Sequence, residues 1–344
     1  MTVFESFIPE IFSYFEDAKV ASDLRSRTFS LCEKKLCVNY SSEMLEKYLF
    51  KAFEHLEDIG TNNISTYQIF ACDGNTLKRD LPGWKKIEEL SGSDKKLVMY
   101  NKDCLHILYN PDSQIFSMVD TSSGRAWYYV TRALKIPFYE KAAPMRMILH
   151  WLCEMFGSTM VHAAAIGYHS KAVLLAGRSG TGKSTTALLA AQNGFRFLGD
   201  DYVVLDNSIK PVVFSAYNSI KFRWDMLERL SLSETLIVND PEKDEKGYFY
   251  MQRMCNNNLV RKMPLEMILL PMIEKRSKTT FTRISPAKGL LSLSASSIFQ
   301  MPGSGQTTLK RLADILRDIP VYQMSMGTDN FEILESLKYF MSKT

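Results

Sequence analysis

Long apolar runs are missing from these 344 residues. No stretch approaches the roughly 18 uninterrupted apolar residues that a membrane helix needs, so no membrane span and no membrane partner is expected. Cysteine is thinly spread. Of Cys32, Cys37, Cys72, Cys104, Cys153 and Cys255 only the first two lie close together, and no second pair completes a zinc tetrahedron. Scattered free thiols suit a reducing compartment better than a disulfide framework. An excess of one charge is also lacking. The 42 Lys and Arg interleave with 38 Asp and Glu, for a net charge of +4 without basic blocks, so nucleic acid is not implied as a partner. The opening MTVFESFIPEIFSYFED is apolar, but it carries Glu5, Glu10 and Glu16 and has no basic start. It does not read as a signal peptide, and the expected location is cytoplasmic.

What the chain does contain is ordinary globular material, 46% hydrophobic and 23% charged, at a length that suits two domains. Its most informative stretch is 173–206. Val173 to Ala176 is a short apolar run of the buried-strand kind, leading into Gly177-Arg-Ser-Gly-Thr-Gly-Lys183-Ser184. Those eight residues satisfy G-x-x-x-x-G-K-[ST] at every fixed position. Thr185 to Gln192 then reads as a helix, stopped by Asn193-Gly194. Strand, glycine loop and helix in that order separate a phosphate-binding loop from a chance glycine-rich turn. Gly177, Gly180 and Gly182 let the backbone point its N–H groups inward, and the helix N-terminus adds a dipole favouring negative charge. Ser179, Thr181 and Thr185 complete the nucleotide-binding set. Lys183 would reach the outer phosphates of ATP, and Ser184 would take a place on Mg²⁺.

Phe195 to Gly199 is a second short apolar run, ending on Asp200-Asp201. A carboxylate at a strand end after such a helix is placed to hold Mg²⁺. Metal binding needs only one acid. With two, either Asp200 or Asp201 serves the metal while the other accepts the proton of an attacking hydroxyl. The bland alternative is a solvated Asp-Asp turn.

The run GRSGTGKSTTALLAAQNGFRFLGDD resembles the core of the HPr serine kinase/phosphorylase family, in which a P-loop is followed by a helix, a strand and an acid pair. ATP-dependent phosphoenolpyruvate carboxykinase has a more distantly similar loop and acid pair. The resemblance covers about residues 158–225, a fifth of the chain. It implies an α/β fold, a P-loop kinase core of the HPr-kinase-like type. By the same resemblance His162, in Val161-His-Ala-Ala, matches a family histidine on a neighbouring strand. Its alternative is a satisfied core histidine. The texture is nearest to HPr-kinase-like proteins of bacterial peptide-natural-product clusters, including those that phosphorylate the terminal serine of lasso-peptide precursors. Tyr217-Asn-Ser-Ile-Lys221 resembles their Y-x-x-x-K. There are departures. Thr185 stands where HPr kinases carry an acid after GKS, and their P-G-R-N signature is missing, since Met301-Pro-Gly-Ser-Gly305 has no arginine. The resemblance therefore implies a kinase, but not one acting on HPr.

Elsewhere the pattern is structural. Phe4, Phe7, Ile8, Ile11, Phe12 and Phe15 recur at helical spacing, as a core stripe or, alternatively, a peptide-binding groove. Ser41 to Leu56 reads as a second helix with an N-cap. Four short runs between 97 and 130 read as antiparallel hairpins, with His106 on the outer face. Ala142 to Phe156 is a helix, and Ser158 to Ile166 a strand. Lys221 and Arg223 alternate onto one face of a strand, where they would offset developing phosphate charge, or be simply solvated. Asn239 to Gly247 is a charged loop that is a candidate lid, with Arg253 and Arg261 beyond it.

The expected organisation is a mixed α+β N-terminal domain over 1–139, for substrate presentation or packing, and a phosphotransferase domain over 140–344. The expected activity is transfer of the ATP γ-phosphoryl, with Mg²⁺, to a serine-type hydroxyl on a lasso-type precursor peptide or a protein. Asp200, Asp201, His162 and Lys183 form the catalytic set. A homo-oligomer is compatible with this reading. Two alternatives stand beside it: a nucleotide-binding regulatory or peptide-binding module with weak ATPase activity, and a carboxykinase-like enzyme acting on a small carboxylate.

Overall fold

The computed structural model describes residues 4–21, 24–58, 66–207, 209–230, 232–303 and 305–343. The chain divides into two compact units, Met1–Met155 and Phe156–Thr344. Residues 140–155, grouped by sequence with the second domain, fall in the first unit.

The first unit is built on a seven-stranded sheet. Its strands are β1 (Arg25–Leu31), β2 (Lys34–Tyr40), β3 (Thr66–Asp73), β4 (Val98–Lys102), β5 (Leu105–Asn110), β6 (Ile115–Asp120) and β7 (Arg125–Val130), in the order β1-β2-β3-β7-β6-β5-β4. β4 to β7 form the antiparallel meander that the turn residues foretell. The apolar stripe of the helix Ile8–Ala21 is core: Phe12 meets Trp127 edge-on, with ring centroids 4.9 Å apart. The β1–β2 hairpin escapes the sequence because its turn uses Cys32 (φ 49°) and Glu33 (φ 62°), where positive φ normally selects Gly, Asn or Asp. β3 joins β2 and β7 in parallel, a long-range pairing that no local pattern announces. His106 is not on an outer face. It stacks on Trp151 of the helix Arg146–Met155, at 5.6 Å between centroids.

The second unit carries β8 (Thr159–Val161), β9 (Ala164–Tyr168), β10 (Lys171–Leu175), β11 (Arg196–Gly199), β12 (Val203–Asp206), β13 (Val212–Ser215), β14 (Ser219–Phe222), β15 (Gly247–Tyr250), β16 (Lys262–Arg276), β17 (Thr280–Ile284) and β18 (Val321–Gly327). Nine of these strands form one mixed sheet, running β11-β9-β10-β16-β13-β12-β8, with β18 paired to both β16 and β17. β14 and β15 make a separate two-stranded ribbon. Alternation along β10 feeds both faces of the sheet. Val173 and Leu175 pack with Ala187 and Leu188 of the helix Lys183–Gln192 and with Leu334 and Leu337 of the helix Asn330–Lys343. Ala172 and Leu174 pack with Leu293 of the helix Pro286–Gln300 and with Leu312 and Ile315 of the helix Gly305–Asp318. A central strand buried on both faces reads as a continuous apolar run, which is why residues 173–176 look the way they do. The result is an α/β unit with helices on both sides of its sheet. Among the described residues no helix is long and apolar enough to cross a membrane.

Candidate active site

β10 ends at Leu175 and the helix Lys183–Gln192 begins eight residues on, so residues 176–182 form the loop between them. Gly177, Gly180 and Gly182 hold φ of 140°, 83° and 100°, all in the region that L side chains avoid. At Gly182 a Cβ would also stand 2.5 Å from Met326 Cε. The loop carries its own brace, a 3.0 Å bond from Thr181 Oγ1 to the Arg178 carbonyl. Ser179 and Gly180 are exposed, and Thr181 and Thr185 are half-buried. Lys183 folds back over the loop, its Nζ donating to the carbonyls of Gly177 at 2.8 Å and Arg178 at 3.0 Å. Burial pushes this ammonium below its usual range. Asp200 and Asp201 oppose that shift, and the like charge of Lys246 adds to it.

The acid pair sits where β11 leaves the sheet. Asp200 is buried, accepts from Ser184 Oγ at 2.8 Å on Oδ1, and accepts from the Lys221 backbone N–H at 3.3 Å on Oδ2. Burial, with the neighbouring Asp201 charge, pushes its carboxyl up to about 7. Asp201 has the opposite environment. Burial alone would raise it, but Lys221 Nζ at 2.7 Å from Oδ2 and His162 Nε2 at 3.5 Å from Oδ1 outweigh burial and hold it below the usual carboxylate range. Its backbone φ of 62° is left-handed, a conformation that costs a non-glycine residue on the order of 1 kcal/mol and that persists where surrounding contacts over-determine it. Two adjacent carboxyls with environments that push them apart make the pattern by which acid and base roles are divided.

His162 owes its position to a break in the chain. The expected strand 158–166 is two strands: β8 pairs with β12, while β9 pairs with β10 and β11, and His162 lies at the step between them. A break leaves backbone groups without ladder partners. Here His162 N–H donates to Ser297 Oγ at 3.0 Å, and Ser296 Oγ donates to the His162 carbonyl at 3.4 Å. Both serines come from the helix Pro286–Gln300, whose Gln300 also accepts from the Tyr202 hydroxyl at 3.1 Å. The sequence reading has no helix there, and its serine-rich apolar texture gives only a faint helical signal. The buried Nδ1 of His162 has no hydrogen-bond partner among the described residues, which leaves Nε2 as the nitrogen that works on Asp201.

Direct contacts thus gather Ser184, Asp200, Asp201, Lys221 and His162, while Lys183, next to Ser184 in the chain, bonds to the loop carbonyls. Arg223 is not among them. β14 ends at Phe222, and the Arg223 guanidinium pairs in solvent with Asp225 at 2.9 Å. Arg253 is exposed on the short helix Gln252–Cys255, and Arg261 is exposed just ahead of β16. Ser184 Oγ and the Asp200 carboxylate, in contact, form the hard-oxygen donor set that suits a divalent cation such as Mg²⁺. The free amides at the start of the 183–192 helix suit an anion.

No family model matches the chain. It is similar to a putative HPr kinase/phosphorylase of Fusobacterium nucleatum, 28% identical over 158 residues that make up 45% of this chain and 23% of the relative. The chain therefore spans less than a quarter of that relative's length. Among solved structures, the HPr(Ser) kinase/phosphatase of Coxiella burnetii aligns at 13% identity and a TM-score of 0.31, covering 54% of this chain and 96% of that one. The curated likeness does fall on the HPr-kinase-like family that the loop and acid pair resemble.

Proposed function

We propose that the 156–344 unit is an ATP-dependent phosphotransferase that moves the γ-phosphoryl group to a serine-type hydroxyl on a peptide or protein. One observation carries this reading: the Ser184–Asp200 contact of 2.8 Å beside a second carboxylate, Asp201, held ionised by Lys221 and His162. A nucleotide switch needs one acid, to hold the metal. A kinase also needs a group that takes the acceptor's proton.

The roles divide by environment. Loop amides and Lys183 bind the phosphates. Ser184 and Asp200 hold Mg²⁺, which when bound offsets charge on the transferring group. Asp201, with the more exposed side chain of the two at 22%, accepts the hydroxyl proton as the acceptor oxygen bonds to the γ-phosphorus and the bond to the β-phosphate oxygen breaks. Lys221 and His162 are positioning residues: they orient Asp201 and keep it ionised until the acceptor arrives. Thr185 in place of an acid, and the missing P-G-R-N run, favour a precursor peptide over HPr.

The test is incubation of the protein with γ-labelled ATP, Mg²⁺ and peptides ending in serine, read by mass spectrometry for an added phosphate. D200N and D201N are run beside it. D201N is expected to bind ATP within a few-fold of wild type and to lose at least about a hundredfold in transfer rate. Unchanged transfer in D201N would remove the proposed base.

A further inference from the structure

The turn that carries the acid pair is closed by the next residue. Tyr202 N–H donates to the Asp200 carbonyl at 2.7 Å, two residues back, which makes a γ-turn centred on Asp201 and its φ of 62°. In this turn the adjacent carboxyls part company: Asp200 meets Ser184, while Asp201 meets Lys221 and His162. A γ-turn with positive φ at its centre is rare and strained, so it persists only where other contacts hold it.

The Tyr202 side chain meets both groups that hold Asp201. Its buried ring lies 5.6 Å from the His162 ring, centroid to centroid and tilted by 47°. The Lys221 ammonium stands 5.9 Å from the same centroid, within cation–π range. Tyr217 packs edge-on against the ring at 6.3 Å. Phenylalanine would fill this space as well. What packing does not require is the hydroxyl, which donates to Gln300 Oε1 at 3.1 Å. Gln300 is exposed and ends the helix whose Ser296 and Ser297 hold the His162 backbone. One helix thus fixes His162 through its main chain and Tyr202 through its hydroxyl, and both bear on Asp201.

We propose that Tyr202, anchored by Gln300, is a positioning residue for phosphoryl transfer, keeping Lys221 and His162 in place against Asp201. This rests on the reading of Asp201 as the proton acceptor, and it extends the site to a helix outside the glycine loop and acid pair. A reacting group displaced by about 1 Å can lose about a hundredfold in rate, so a bond worth little to the fold is worth much to kcat.

The test is steady-state transfer by the full chain, from Mg²⁺–ATP to serine-ended peptides, as wild type, Q300L, Q300E, Y202F and Y202F/Q300L. Melting temperatures and histidine NMR spectra are recorded for each, with the His162 signal assigned by its loss in H162N. Q300L and Y202F are each expected to lose at least about tenfold in kcat, with KM for ATP and for peptide within about twofold of wild type and the His162 signal moved. Q300E keeps an acceptor for the hydroxyl and should recover most of the loss. The double variant should be no slower than the slower single, because both changes cut one bond. An unchanged kcat in Q300L would overturn the inference, and so would losses that multiply in the double variant. A raised KM for ATP together with melting several degrees lower would mark a folding defect and overturn it too. A wild type that transfers to no peptide, while its His162 signal still moves in Q300L, overturns the phosphotransferase reading and keeps the positioning one; an unmoved signal overturns the positioning.

Discussion

At the scale of single residues, Asp200 and Asp201 make opposite contributions to stability. Burial and the neighbouring Asp201 charge push the Asp200 carboxyl up to about 7 in the fold, from an ordinary 3.8, so between those values the folded state holds a proton that the unfolded chain has released. Stability therefore falls as pH rises through that window and levels off above it in the ligand-free protein. Asp200→Asn removes that dependence. In calorimetry without nucleotide or metal, the variant should melt several degrees above wild type at pH 8, with the gap closing towards pH 4. A gap independent of pH would show that Asp200 is not titrating. Lys221→Met acts on the other carboxylate. It leaves the half-buried Asp201 without its nearest cation, which destabilises the fold, and it should lower transfer far more than ATP affinity. Separate kcat and KM values would check that division.

At the scale of elements, the turn from β10 into the 183–192 helix is made by Gly182. Its φ of 100° and the 2.5 Å approach of Met326 Cε to a would-be Cβ are independent obstacles to substitution. Met326 is flexible and can move, whereas the backbone cannot change φ without turning its amides away. Gly182→Ala should therefore cost about 1–3 kcal/mol and weaken ATP binding at least about tenfold. The double variant Gly182→Ala/Met326→Ala should recover part of the stability but little of the binding. Full recovery of binding would mean that crowding, not conformation, is what glycine relieves. The β14–β15 ribbon is the other decisive element, since β14 carries both the Lys221 ammonium that pairs with Asp201 and the Lys221 backbone N–H that Asp200 accepts from.

At the scale of the molecule, the two compact units predict separable unfolding, with nucleotide bound by one of them. Mg²⁺–ATP at about a hundred times its dissociation constant adds about 2.7 kcal/mol to the unit that binds it, worth roughly 5–10 °C. Scanning calorimetry should show one of two transitions rising by that amount, with EDTA reversing most of the shift. Both transitions rising together would show that the units unfold as one.

The glycine loop, its strand, its helix and the two aspartates were legible because their signals are local. A glycine at a positive-φ turn, a doubly buried strand and a helix stop each depend on neighbours within a few residues. The helix Pro286–Gln300 and the β1–β2 hairpin were not legible, because serines in a helix and Cys32-Glu33 in a turn go against local preference and are held by tertiary contacts. The same limit governs the site. Composition and spacing alone determined a glycine loop between a buried strand and a helix, followed by an acid pair at the end of the next apolar run. Only the folded chain decided that Asp200 joins Ser184 while Asp201 joins Lys221 and His162, and that Arg223 turns to solvent. Charge pairing depends on distances across the sheet and the ribbon, and those are set by packing, not by order along the chain.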